Sequence, residues 1–267
     1  MNPIIESLWK RKSVRAYTGQ QISEEDKRLI LQSASEAASA GNQQMYTILD
    51  ITDQNLKDTL SETCDHQPFI AKAEMVLVFC VDFQKWYDAF SMAGCNPRHP
   101  QAGDFMLAAM DAAIAAQNAV TAAESLGIGS CYIGDIMERY EIHRELFGLP
   151  DYAVPILMAV FGYPTEQQKE RKKPLRAPLD FLVHENHYRR LAGEELRNGI
   201  APNRGDMDFE EWMKRFCSRK YHSGFSLEMS RSIQAALDHF CGRDQNKDSE
   251  ISGNSETPGN GKPSETL

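Results

Sequence analysis

Between Phe105 and Ile128 the chain runs through a weakly polar, alanine-rich stretch long enough to cross a bilayer, and its placement decides the fold class. Asp111, Gln117, Asn118, Thr121, Glu124 and Ser125 interrupt it, too much polarity for a membrane span. The stretch is expected instead as a long buried helix of a soluble protein, from Asp104 to Leu126, stopped by Gly127-Ile128-Gly129. No membrane association is expected.

A helix of that length needs other elements against its apolar face. Met75-Val76-Leu77-Val78-Phe79-Cys80-Val81 is an unbroken apolar run between Glu74 and Asp82, the pattern of a strand buried on both faces. Val154 to Tyr163 repeats it, Met45 to Ile51 is rich in β-formers, and Ser130 to Ile133 makes a short strand. Helical patterns lie between them. One is opened by Ser23-Glu24-Glu25-Asp26 and runs to about Ala38; others cover Asn55 to Thr63 and Glu138 to Phe147. This alternation predicts an α+β fold, a mixed central sheet flanked by helices.

A length of 267 residues suits one principal domain with an appendage. The principal domain is placed at 1–192 and a helical extension at 193–242, where Asp208 to Lys220 and Phe225 to Phe240 carry amphipathic patterns. From Arg243 the chain has almost no large apolar side chains, and the tail 243–267 is expected to be disordered. A net charge of -9 excludes general nucleic-acid binding, so any anion site must be a local basic cluster. The six cysteines form no C-x-x-C pair, which fits a reducing cytoplasm, and neither they nor the seven histidines show metal-ligand spacing.

Two such basic clusters exist. Arg11-Lys12-Ser13-Val14-Arg15 offers three cations and a hydroxyl within five residues, suited to the oxygens of a phosphate monoester. Taken alone it reads more readily as a solvated patch after a first helix. Lys169-Glu170-Arg171-Lys172-Lys173-Pro174-Leu175-Arg176 follows the last strand; its proline favours an extended segment projecting Lys173 and Arg176. Its plainer reading is an exposed charged loop. Leu126-Gly127-Ile128-Gly129-Ser130-Cys131-Tyr132-Ile133-Gly134 is a glycine-spaced turn around a strand, where backbone can approach a flat ligand, or a simple helix stop. Asp82 to Gln101, with Trp86, Tyr87, Phe90, Met92 and Arg98, either lines an acceptor pocket or packs.

Four motifs in order, Arg-Lys-Ser-Val-Arg-Ala-Tyr from Arg11, Ala-Ser-Ala-Gly-Asn-Gln-Gln from Ala38, the glycine-spaced segment from Leu126 and Lys-Pro-Leu-Arg-Ala-Pro-Leu from Lys173, resemble the FMN-dependent nitroreductase family over about residues 3–190. The resemblance implies a homodimer, a long central helix at its interface and one FMN at each end of that interface. Arg11, Lys12 and Ser13 would meet the phosphate with Lys173 and Arg176. Arg15 would lie near the pyrimidine edge, where a cation favours the reduced ring. Ser39, Asn42 and Gln44 match a loop that reaches the flavin from the facing subunit, and Gln67 matches a flavin-bonding glutamine. The backbone of Tyr132, Ile133 and Gly134 falls on the N5 side. Ala38 and Met45-Tyr46 depart from the family's usual proline and Pro-Trp around that loop.

The implied activity passes electrons from NADH or NADPH through bound FMN to a small electron-poor acceptor such as a nitroaromatic or quinone. The flavin carries the chemistry, so no catalytic acid or base is required. A specialised flavin enzyme on the same scaffold, such as a dehalogenase or a flavin-consuming enzyme, and a non-enzymatic flavin-binding interaction protein are the alternatives.

Overall fold

A computed structural model of the chain describes residues 2–243; the tail expectation beyond Arg243 lies outside the described residues. In chain order the elements are α1 (Pro3–Lys10), α2 (Glu24–Ser35), β1 (Tyr46–Asp50), α3 (Gln54–Thr63), α4 (Pro68–Ala71), β2 (Met75–Asp82), α5 (Gln84–Met92) and α6 (Ala102–Ser125). They continue with β3 (Gly129–Ile133), α7 (Tyr140–Phe147), β4 (Ala153–Gly162), α8 (Glu166–Glu170), α9 (Leu179–Leu182), α10 (Gly193–Ile200), α11 (Phe209–Lys220) and α12 (Gly224–Phe240). Side chains start several helices: Ser23 accepts from Asp26 N, Asp53 from Leu56 N, Asp208 from Glu211 N and Ser223 from Ser226 N.

The sheet has the order β1-β2-β4-β3, and every ladder is antiparallel. The expectation of a mixed sheet is corrected here, because among the described residues the parallel component is one isolated bridge, Ser13 to Ser130. The reason lies in the connections. Sequence neighbours β1 and β2, joined through α3 and α4, and β3 and β4, joined through α7, pair directly and antiparallel, so neither connection is the crossover of a parallel βαβ unit.

Every residue of β2 is buried, and its alternation serves two layers. Met75, Leu77 and Phe79 pack with Ile30 of α2 and with Ala112, Ala115, Ala116 and Ala119 of α6. Val76, Val78 and Cys80 pack with Leu60, Cys64 and Ile70 from the α3–α4 side. That double burial is why the run contains no polar residue. The long helix has the length and composition of a membrane span, but its Phe105, Ala108, Ala112, Ala116 and Ala119 lie inside this core. Alanine at four of those positions lets α6 lie close to the sheet. Its opposite face stays exposed and apolar at Met106, Leu107, Met110 and Ile114.

Candidate functional site

After α1 the chain crosses the ends of β3 and β4. Val14 N donates to Ser130 O at 2.9 Å and Thr18 N to Tyr163 O at 2.9 Å. Gly129 and Gly162 are register partners directly beneath this crossing. A Cβ on Gly129 would stand 2.5 Å from Val14 Cγ2, and one on Gly162 would stand 2.6 Å from Tyr17 Cδ1. The missing Cβ of Gly129 thus admits Val14, not a flat ligand, which corrects that part of the sequence reading.

The two basic clusters meet. Lys12 Nζ donates to Lys169 O at 2.6 Å and also to Arg171 O; Arg171 Nη2 donates to Ser13 O at 2.5 Å, and Lys173 Nζ to Trp9 O at 2.6 Å. Each segment therefore binds the other's backbone, and both line a cleft of about 600 Å³ with Glu124 and Gly127. Arg11 sits with its guanidinium carbon 5.4 Å from the Tyr132 ring centre. Its Nε and Nη2 are buried without a hydrogen-bond partner among the described residues, as is Ser130 Oγ.

The charges are crowded. Burial lowers the pKa of Lys173, and Arg176 and Arg11 depress it further. Burial raises the Glu124 carboxyl against the opposing pull of Arg11, Lys12 and Lys173. Cations that repel one another and guanidinium donors with no acceptor make a site that a multivalent oxyanion would complete. The residues present fit the phosphate of a flavin mononucleotide.

Residues 8–163 match the Nitroreductase family. The chain belongs to that family. It is 32% identical over 202 residues to an NADPH-flavin oxidoreductase of Vibrio harveyi, covering 74% of this chain and 80% of that protein. With an oxygen-insensitive NADPH nitroreductase of Salmonella typhimurium it shares 34% over 191 residues, 72% of this chain and 77% of the relative. The solved structure of B. megaterium NfrA2 superposes with a TM-score of 0.76 at 30% identity, over 90% of this chain and 98% of that one.

The remaining residues expected at the site of this nitroreductase-family protein fall into two groups. Arg15 ends the first cluster, its guanidinium carbon 5.8 Å from the Phe69 ring centre and its backbone N donating to Gln168 Oε1 at 3.3 Å. Gln67, two positions before Phe69, donates from Nε2 to Cys64 O at 2.8 Å. Tyr132 and Ile133 end β3, and Gly134 begins the 3-10 turn after it. Ser39, Asn42 and Gln44 lie elsewhere. Their loop is bound to Asp111, and Glu124 of the cleft lies 13 residues further along α6, a rise of about 20 Å.

Glu124 and Arg171 escaped the sequence-based site. Glu124 registered only as a polar interruption of a helix, and Arg171 was one of five cations in its segment. Trp86 and Tyr87 take the packing role: Trp86 Nε1 donates to Gln43 O at 2.8 Å, and Tyr87 lies 4.8 Å from Tyr152 between ring centres. His143 is a satisfied core histidine, bonded to Ile136 O and Thr63 Oγ1, both at 2.9 Å.

Proposed function

We propose that this nitroreductase-family protein is an FMN-dependent oxidoreductase that takes electrons from NADH or NADPH and delivers them to electron-poor acceptors such as nitroaromatics and quinones. The observation that carries the reading is Arg11, with two buried guanidinium nitrogens lacking acceptors beside a cationic cleft. A buried donor left unpaired costs about 1–3 kcal/mol, and a phosphate removes that cost. Relatives named as an NADPH-flavin oxidoreductase and an NADPH nitroreductase support the choice of donor and cofactor.

FMN, when bound, supplies the hydride-accepting and electron-donating ring. The chain's part is to hold and orient. Arg11, Lys12, Ser13, Lys173 and Arg176 bind the phosphate; Arg15 and Gln67 serve the ring; the backbone of Tyr132, Ile133 and Gly134 borders it. Residues 1–192 form the flavin domain and 193–242 its extension.

The functional unit in this reading is a homodimer. The exposed Met106, Leu107, Met110 and Ile114 of α6 need cover. The separation of Ser39, Asn42 and Gln44 from the cleft of their own chain suits delivery to a second copy. Sedimentation should give the mass of two chains, and Met110→Glu should reduce it to one. The six cysteines are all free thiols, in keeping with a cytoplasmic protein.

Purified protein should be yellow, and NADH or NADPH should bleach it without oxygen. A colourless chain that FMN cannot reconstitute overturns the reading. Retained flavin with no steady-state NAD(P)H oxidation in the presence of a quinone would make it a binding protein.

A further inference from the structure

Asn203 lies between α10 and α11, outside the stretch that matches the family. Its side-chain amide closes on the backbone of one residue in both directions: Leu175 N donates to Asn203 Oδ1 at 2.8 Å, and Asn203 Nδ2 donates to Leu175 O at 2.9 Å. This two-bond pairing imitates a rung of a sheet. It falls on a segment, 171–178, that has neither helix nor strand of its own. The Leu175 side chain is 65% exposed, so packing does not hold it.

The turn that presents Asn203 is itself braced. Arg204 Nη1 donates to Arg197 O at 2.9 Å, Arg197 forms an ion pair with Glu210, and both arginines lie over the Phe209 ring. Leu175 stands between Lys173, which lines the cleft, and Arg176, whose charge acts on Lys173. An extended segment without a ladder would otherwise sample many backbone states, and each would move both cations.

We propose that Asn203 is a positioning residue for the anion site, through which the C-terminal extension sets the affinity for the phosphate end of the flavin. The inference rests on the reading that Lys173 and Arg176 bind that phosphate. Asn203 touches neither cofactor nor substrate; it acts through Leu175.

The test compares FMN with riboflavin, which has the same ring and no phosphate, by fluorescence titration of the full chain freed of flavin. Asn203→Ala should weaken FMN about tenfold, on the scale of one or two lost hydrogen bonds, and leave riboflavin unchanged. Asn203→Asp, which keeps the size but turns the donor into an acceptor, should do the same and guards against a folding defect. Equal weakening of both ligands, or unchanged FMN affinity, overturns the inference. Arg176→Ala separates the two levels. If it weakens FMN while the Asn203 variants do not, only the positioning role fails. If wild type binds FMN no more tightly than riboflavin, the phosphate reading fails and this inference with it.

Discussion

The Ser39 hydroxyl donates to Asp111 Oδ2 across 2.8 Å, tying the loop before β1 to the middle of α6. The same carboxylate accepts Ala40 N at 3.0 Å and Met45 N at 3.2 Å, and Asp111 is 2% exposed. Three donors on one buried carboxylate hold the loop in the shape that presents Asn42 and Gln44. Asp111→Asn turns an acceptor oxygen into a donor facing donors. It should cost about 2–4 kcal/mol in urea unfolding, against about 1 kcal/mol for Ser39→Ala. Equal small costs would show that the carboxylate is not the anchor.

Arg11 allows binding and stability to be separated. Because its buried Nε and Nη2 make no hydrogen bond among the described residues, Arg11→Ala removes none there and relieves repulsion on Lys173. Thermal melting of the flavin-free protein should therefore change little, the lost contact with Tyr132 being worth about 0.5–1 kcal/mol. FMN affinity should fall by about 10- to 100-fold, the value of one charge-assisted contact. A variant that melts early and still retains FMN would make Arg11 structural.

Gly129→Ala should destabilise the protein by about 1–3 kcal/mol, since the new methyl would overlap Val14 beneath the N-terminal crossing. Combining it with Val14→Ala should recover much of that loss. The coupling between the two substitutions, measured by a double-mutant cycle, checks the close approach directly. Additive costs would place the strain elsewhere.

How far the sequence reveals this molecule depends on whether a signal is local. β2 was legible because burial on both faces leaves an unbroken apolar run, and α6 because its length and polar interruptions admit one soluble reading. Strand direction was not, because alternating strands and helices read the same whether the joined strands pair parallel or antiparallel. The cationic segments were legible as types. Their mutual embrace, Lys12 on the carbonyls of Lys169 and Arg171 and Lys173 on that of Trp9, joins residues more than 150 positions apart. Gly129 was conspicuous but misassigned, because a glycine announces a close approach without naming what approaches.

Glu138 supplies a pH test away from the cleft. The residue is 8% exposed and its Oε1 has no hydrogen-bond partner among the described residues. Burial first, then Asp135 and Asp65, push its carboxyl up to about 7. In the unfolded chain a glutamate titrates near about 4.3. Between those values the unfolded state has lost a proton that the folded state keeps, so rising pH favours unfolding. Below the unfolded value the two states carry equal protons and the penalty vanishes; above about 7 it is complete. Glu138→Gln removes the titration while the other ionisable groups remain common to both proteins. Urea unfolding at pH 5 and pH 8 should then show wild type losing about 1–2 kcal/mol relative to the variant, after allowance for solvent screening. Parallel stability curves would mean that Glu138 ionises in the folded protein as an ordinary glutamate does.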